Sequence, residues 1–150
     1  MRAICLEYVL PCLCAFLACM GFTLVFNIHG AGKLICSLGG AICWLVYLLA
    51  GSTIFAAFLS AAVIGIFSEV MARLRRCPAS GYLLVALLPL VPGGGIYYAM
   101  SYCAAGDTQR FLDTLLHTFG MAASLAVGAM MTSSLFRALY PHLHRPKPNS

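Results

Sequence analysis

An uncharged segment occupies residues 81–104 and reads GYLLVALLPLVPGGGIYYAMSYCA. A helix of about 20 apolar residues crosses a bilayer core of about 30 Å, so this segment is long enough to span a membrane. Its middle contains Pro89, Pro92 and three glycines at 93–95. Each proline removes a backbone donor and clashes with the preceding turn, and the glycines have little helical preference. We therefore expect a transmembrane helix that is broken near the bilayer midplane.

The rest of the chain has the composition of a membrane protein. Its 150 residues are 62% hydrophobic and only 9% charged, whereas a soluble domain carries about 25% charged residues. The sequence therefore predicts an all-α membrane protein, a bundle of about five transmembrane helices in one domain over residues 1–140. The predicted spans are about 4–26, 33–50, 53–72, 81–104 and 113–139. Residues 141–150 are predicted to form a short disordered cytoplasmic tail.

The placement of positive charge predicts the orientation of the bundle. With the N-terminus outside, only Arg2 and Arg110 lie on the outer side. The residues that then lie in the cytoplasm are Lys33, Arg73, Arg75, Arg76, Arg137, Arg145 and Lys147. Positive charge accumulates on the cytoplasmic side of membrane proteins, so we predict an N-out, C-in arrangement. Because this placement accounts for the net charge of +5, no nucleic-acid partner is expected.

The cysteines and the small residues both indicate close helix packing. The eight cysteines contain no Cys-x-x-Cys and no paired Cys/His spacing, so we interpret them as small apolar residues within helices and expect no metal or other cofactor. Small residues recur every four positions on two spans, which lets helix backbones approach closely in lipid. They are Ala57, Ala61 and Gly65 on the third span and Gly120, Ser124, Gly128 and Thr132 on the fifth. The pattern does not identify the partner of either face.

The predicted break favours a functional interpretation, because backbone groups freed inside a bilayer need partners. In transporters, half-helices meet at the midplane and their N-termini bind anionic groups. With the second half-helix starting near Gly95, its amides and the following tyrosine hydroxyls can hold a carboxylate. The candidate substrate-binding residues are Pro89, Pro92, Gly93, Gly94, Gly95, Tyr97 and Tyr98. The alternative is a proline kink that only shapes packing.

Ionisable residues inside the predicted spans are few. Asp113 and His117 are one helical turn apart, so they can share a proton and couple transport to the proton gradient. The alternative is structural: Asp113 caps the helix and His117 lies near the membrane edge. Glu69 and Arg73 are predicted to form an interfacial ion pair. Since no other pair comes near a nucleophile and base, we predict no enzyme activity.

Two segments have distinctive motifs. They are Gly21-Phe22-Thr23-Leu24-Val25-Phe26-Asn27 at the end of the first span and Pro89-Leu90-Val91-Pro92-Gly93 with Tyr97, Ala99 and Met100 in the fourth. Together they resemble the small subunit of the threonine/serine exporter family. The order and spacing of the spans agree along nearly the whole chain. Gly94 and Gly95 depart from the family pattern by lengthening the glycine run.

The resemblance implies proton-driven export of threonine and serine, or of succinate in the split two-subunit versions. It also implies a larger partner subunit in the inner (plasma) membrane that resembles the other half of the single-chain exporters. We therefore expect a subunit of a secondary exporter of small carboxylates, with the lipid bilayer, the larger subunit and the solute as its partners. The alternative is a non-transporting scaffold that stabilises another membrane protein.

Overall fold

A computed structural model of the chain describes residues 2–28, 30–75 and 78–139, with side chains from residue 8 onward. Within these ranges the chain is helical, which confirms the predicted all-α fold. The helices are α1 (Arg2–Val25), α2 (Gly32–Leu49), α3 (Ile54–Arg75), α4 (Ala79–Leu87), α5 (Gly93–Ala104) and α6 (Thr108–Leu139), with a 3-10 helix at Leu88–Leu90. The predicted tail at 141–150 and the predicted cytoplasmic Arg76 lie outside the described residues.

In the described part of the chain, four helices are long and apolar enough to cross a bilayer: α1, α2, α3 and α6. The segments Ala79–Leu90 and Gly93–Ala104 pass the same test together and are bent by 45° at the break between them. Counting the bent pair as one span gives five, in agreement with the predicted bundle.

The last helix begins earlier than the sequence indicated. It starts at Thr108, because Asp107 is its cap: the Asp107 carboxylate accepts a hydrogen bond from the Arg110 amide at 3.1 Å. Gly106, with φ of 78°, turns the chain immediately before this cap. The interpretation of Asp113 as the helix cap is therefore wrong, since Asp113 lies inside α6.

The two predicted faces of small residues pack against each other. A side chain on Gly65 of α3 would approach Thr132 Cβ of α6 to 2.8 Å, and one on Gly128 of α6 would approach Ala61 Cβ of α3 to 2.9 Å. The Thr132 hydroxyl donates to the Gly128 carbonyl at 2.9 Å, within its own helix. The close α3–α6 contact is thus built from the two patterns whose partners the sequence left open.

The remaining contacts arrange the helices around α2 and α3. Helix α2 packs against α1, α3 and α4, and α3 packs against α2, α4 and α6. Helix α5 packs mainly against α6. The predicted ion pair is confirmed, with 3.7 Å between Glu69 Oε2 and Arg73 Nη2. The Arg73 guanidinium also lies 5.1 Å from the centre of the Phe136 ring, which joins the ends of α3 and α6.

Candidate functional site

The break between α4 and α5 is an interruption of the helix, with two residues outside helical geometry. Val91 has ψ of 125°, in the extended region, and Pro92 has ψ of 55°. The residue before a proline is biased away from the α region, so Pro92 itself accounts for the extended Val91. The sequence had suggested that the second half-helix starts near Gly95. In the structure it starts at Gly93.

Two carbonyl groups lack their intrahelical donor because proline has no N–H, and both accept a hydrogen bond from another group. In an unbroken helix Val85 would accept from residue 89, but Pro89 has no N–H. The Cys19 thiol of α1 donates to this carbonyl at 3.2 Å instead. Pro92 likewise cannot pair with Leu88, whose carbonyl accepts the Val91 amide at 3.3 Å.

The amides at the start of α5 are less completely paired. The Gly93 amide donates to the Val91 carbonyl at 2.7 Å. Among the described residues, the amides of Gly94 and Gly95 have no hydrogen-bond acceptor, as expected in the first turn of a helix. Gly94 is exposed and Gly95 half-buried. Two unpaired donors and the positive end of the helix dipole therefore lie together at the break, an arrangement that suits an anionic group.

Gly95 also sets the approach of α5 to α6. A Cβ at this position would lie 3.1 Å from Thr118 Cγ2 and closer still to the Thr118 hydroxyl. Thr118 is buried, and its hydroxyl donates to the Thr114 carbonyl at 2.6 Å. By contrast, a side chain on Gly93 or Gly94 would meet nothing within 4 Å. Only the third glycine of the run is required by packing.

Tyr97 and Tyr98 lie on α5 in the turn that follows the glycines. Their rings pack edge to face with centroids 5.5 Å apart, and the two residues are 70% and 58% exposed. They therefore do not fill the interior of the described bundle. Their rings are available to lipid, to a partner chain or to a solute that enters from that side.

The structure places Asp113 and His117 on α6 without pairing them. Both residues are exposed, and within the described part of the chain neither takes part in an ion pair within 4 Å. His117 directly precedes Thr118, the residue that packs against Gly95. His117 thus lies level with the start of α5, with Asp113 one turn nearer the beginning of α6.

Two residues at the break were missed by the sequence-based predictions. Cys19 and its carbonyl partner Val85 are 66 positions apart in the chain, so no local sequence pattern connects them. Thr118 stands beside His117, but nothing in its neighbours marks it as the contact of Gly95. The only sequence feature that pointed to these contacts is a glycine on the facing helix. Gly40 leaves room for Cys19, and Gly95 leaves room for Thr118.

Comparison with known proteins identifies one family. The family model described as "Threonine/Serine exporter, ThrE" matches residues 11–135. The match includes the first span from Pro11, the break and nearly all of α6. No solved structure matches the chain.

Proposed function

Since the chain belongs to the threonine/serine exporter family, a family of multi-pass membrane transporters, we propose that it is a subunit of a proton-coupled secondary exporter of small carboxylates. The solute is threonine, serine or a dicarboxylate such as succinate. The chain works in the inner (plasma) membrane beside a larger subunit, in an N-out, C-in orientation.

The observation that carries the proposal is the pair of unpaired amides at the start of α5. Gly94 and Gly95 present their N–H groups where the membrane segment is interrupted and bent by 45°. A carboxylate is common to all the proposed solutes and is the group that a helix N-terminus binds. In this proposal Pro89, Pro92 and Gly93 shape the break, and the Tyr97 and Tyr98 hydroxyls contribute further contacts to the solute.

Asp113 and His117 carry the proton in this proposal. His117 is level with Gly95 through its neighbour Thr118, so a charge change at His117 occurs at the depth of the bound carboxylate. Intramembrane carboxylate and histidine pairs serve as proton relays in transporters. The pair is open in the described conformation, and proton transfer between the two side chains requires a rotamer change or an intervening water.

The proposed larger subunit completes the solute site. In the described part of the chain, α5 packs extensively against α6, while Ile96, Tyr97 and Tyr98 remain exposed. Among the described residues, the unpaired amides therefore have protein on one side only. A second chain against this surface would enclose the solute and exclude lipid.

Reconstitution tests this proposal directly. The chain is incorporated into vesicles with and without the larger subunit, and efflux of threonine, serine and succinate is measured under an imposed proton gradient. We expect efflux of at least one of the three when both subunits are present. Absence of efflux of every carboxylate from the complete complex would remove the transport function.

A second arm distinguishes transport from the scaffold alternative. Pro92→Ala restores a backbone donor at the break, and Pro11→Ala makes the same change inside α1. Transport per assembled complex is expected to fall at least tenfold for Pro92→Ala and to stay near the wild-type value for Pro11→Ala. A scaffold predicts that Pro92→Ala changes the amount of complex but not transport per complex.

A further inference from the structure

A cleft between α4 and α6 lies away from the break. Its volume is about 350 Å³, and it is lined by Leu83, Ala129, Met130, Ser133, Ser134 and Arg137. Helix α4 packs against α2 and α3, whereas α6 packs against α3 and α5. The bend at the break explains this difference, because it brings α5 onto α6 while α4 follows α2 and α3. The cleft opens between the two diverging helices near the end of α6.

Three of the lining residues are polar, which is unusual for a lipid-facing groove. Arg137 carries a positive charge, and Ser133 and Ser134 add two hydroxyl groups. Arg137 forms no ion pair with any described residue, whereas Arg73 at the same end of the bundle is paired with Glu69. A guanidinium with neighbouring hydroxyl donors is the combination that binds a carboxylate or phosphate.

A buried hydroxyl without a partner among the described residues lies on α3, which packs against both helices of the cleft. Ser68 of α3 is 1% exposed, and its Oγ atom has no hydrogen-bond partner among the described residues. Ser68 follows Gly65 by one turn, and Gly65 contacts Thr132, the neighbour of Ser133. Helix α3 packs against both α4 and α6, the two helices that line the cleft. Ser68 itself does not line the cleft, so the cleft's own polar groups are those of Ser133, Ser134 and Arg137.

We propose that this cleft is a second solute site, which binds the carboxylate of the exported solute at the end of the bundle where α3 and α6 terminate. Arg137 supplies the charge, and Ser133 and Ser134 donate hydrogen bonds. This inference rests on the proposed export function. It makes the cleft an entry site that the solute occupies before it reaches the amides of α5.

The size and polarity of the cleft favour a small solute over a lipid. Ligand sites of about 300–1,000 Å³ hold small molecules, and this cleft falls at the lower end of that range. A second groove, between α1 and α2, has about 430 Å³ and presents only apolar surface, with Val9, Leu13 and Leu38 among its lining residues. That groove suits an acyl chain, whereas the α4–α6 cleft offers an anion partner and hydroxyl groups.

The test measures efflux kinetics of the assembled complex in vesicles, with threonine, serine and succinate as probes. Arg137→Gln is expected to raise KM on the order of tenfold or more with little change in kcat, because a charge-assisted contact to the entering solute is lost. Arg137→Lys, which keeps the charge, is expected to recover most of this loss. Arg75→Gln removes a charge at the same end of the bundle without lining the cleft, and its KM is expected to match the wild type.

Two further arms keep the test decisive. Ser134→Leu, at an exposed position, fills the cleft without disturbing the core and is expected to raise KM even if Arg137→Gln assembles poorly. The wild type and Arg137→Gln are also compared in vesicles with and without phosphatidylglycerol. A KM increase that disappears without the anionic lipid would identify a lipid headgroup as the occupant and overturn the proposal.

The outcomes separate this inference from the proposed function. A transporting wild type whose KM is unchanged by both Arg137→Gln and Ser134→Leu contradicts the cleft site and leaves the export function standing. A wild-type complex without efflux of any carboxylate contradicts the export function and the cleft site together. A KM increase in both variants that persists in both lipid mixtures supports the solute site.

Discussion

The Cys19 thiol donates a hydrogen bond to the Val85 carbonyl at 3.2 Å, joining α1 to the half-helix that precedes the break. Pro89 makes this carbonyl available, since it has no N–H to offer at the position where a helix would supply one. Cys19 is fully buried, and a side chain on Gly40 of α2 would collide with it. Three helices thus meet where the backbone of α4 needs an external donor.

Replacing this donor should destabilise the fold. Cys19→Ala leaves a buried carbonyl without its partner, a loss of about 1–3 kcal/mol. Cys19→Ser keeps a donor and should recover part of the loss, while Cys14→Ala, at an exposed position of the same helix, should have little effect. Thermal unfolding of the purified protein in detergent measures the difference. Equal stability of Cys19→Ala and Cys14→Ala would show that the hydrogen bond contributes nothing.

The glycine run offers a matched pair of substitutions. Gly95→Ala places a methyl group against Thr118, whereas Gly94→Ala meets nothing within 4 Å. We expect Gly95→Ala to separate α5 from α6 at a cost of about 1–3 kcal/mol and Gly94→Ala to be neutral. Adding Thr118→Ala should relieve part of the Gly95→Ala defect, which a double-mutant cycle on unfolding measures. Strict additivity of the two changes would argue against the contact.

The α3–α6 interface should be equally sensitive at Gly128. A Cβ there would lie 2.7 Å from the Phe58 carbonyl oxygen, a backbone atom that cannot rotate away. Gly128→Ala is expected to lower the unfolding free energy by about 1–3 kcal/mol. Gly81→Ala, with open space around the new methyl group, is the control. If both variants unfold at the same temperature, α3 and α6 do not depend on this close approach.

The sequence predicted the helices and the break because both depend on local chemistry. Hydropathy marks each span, and Pro89 and Pro92 remove donors wherever they lie. The restart at Gly93 was missed because the N–H groups of a helix's first turn need no intrahelical acceptor, so α5 can start immediately after Pro92. The sequence attributed the whole glycine run to the break, whereas Gly95 is the one whose hydrogen side chain is needed for packing.

Long-range pairings were beyond the sequence. The face with Gly65 and the face with Gly128 were both visible, but a period of four residues shows that a helix packs closely and not which helix it meets. Asn27 is the last residue of the first segment that resembles the exporter family. In the structure it takes φ of 54° and ends α1, with the Ile28 amide donating to the Thr23 carbonyl at 3.0 Å. Part of the resemblance motif therefore reflects a helix terminus.

Proton coupling is predicted to depend on Asp113 and His117. Asp113→Asn and His117→Gln should each reduce efflux driven by a proton gradient by at least tenfold, while solute exchange without a gradient continues. Asp107→Asn is the control, because asparagine also caps a helix and Asp107 lies at the start of α6. If gradient-driven efflux of both variants equals that of Asp107→Asn, the proton follows another route.

The path of the bent pair through the bilayer gives a final prediction, because a bent helix pair can be a broken span or a re-entrant loop. If α4 and α5 together cross the membrane, the turn after α2 and the turn after α5 lie on the same side, opposite the start of α4. Ser52, Ser80 and Ala105 are all exposed. We expect a membrane-impermeant maleimide to label Ser52→Cys and Ala105→Cys in intact cells, above the level of the unsubstituted chain, and to label Ser80→Cys only after permeabilisation.

Two other labelling patterns would contradict this prediction. Labelling of Ala105→Cys under the same conditions as Ser80→Cys would mean that the pair re-enters, and accessibility of Ser80→Cys alone from outside would reverse the predicted orientation. Either result would leave the break intact but move the side from which its amides receive the solute.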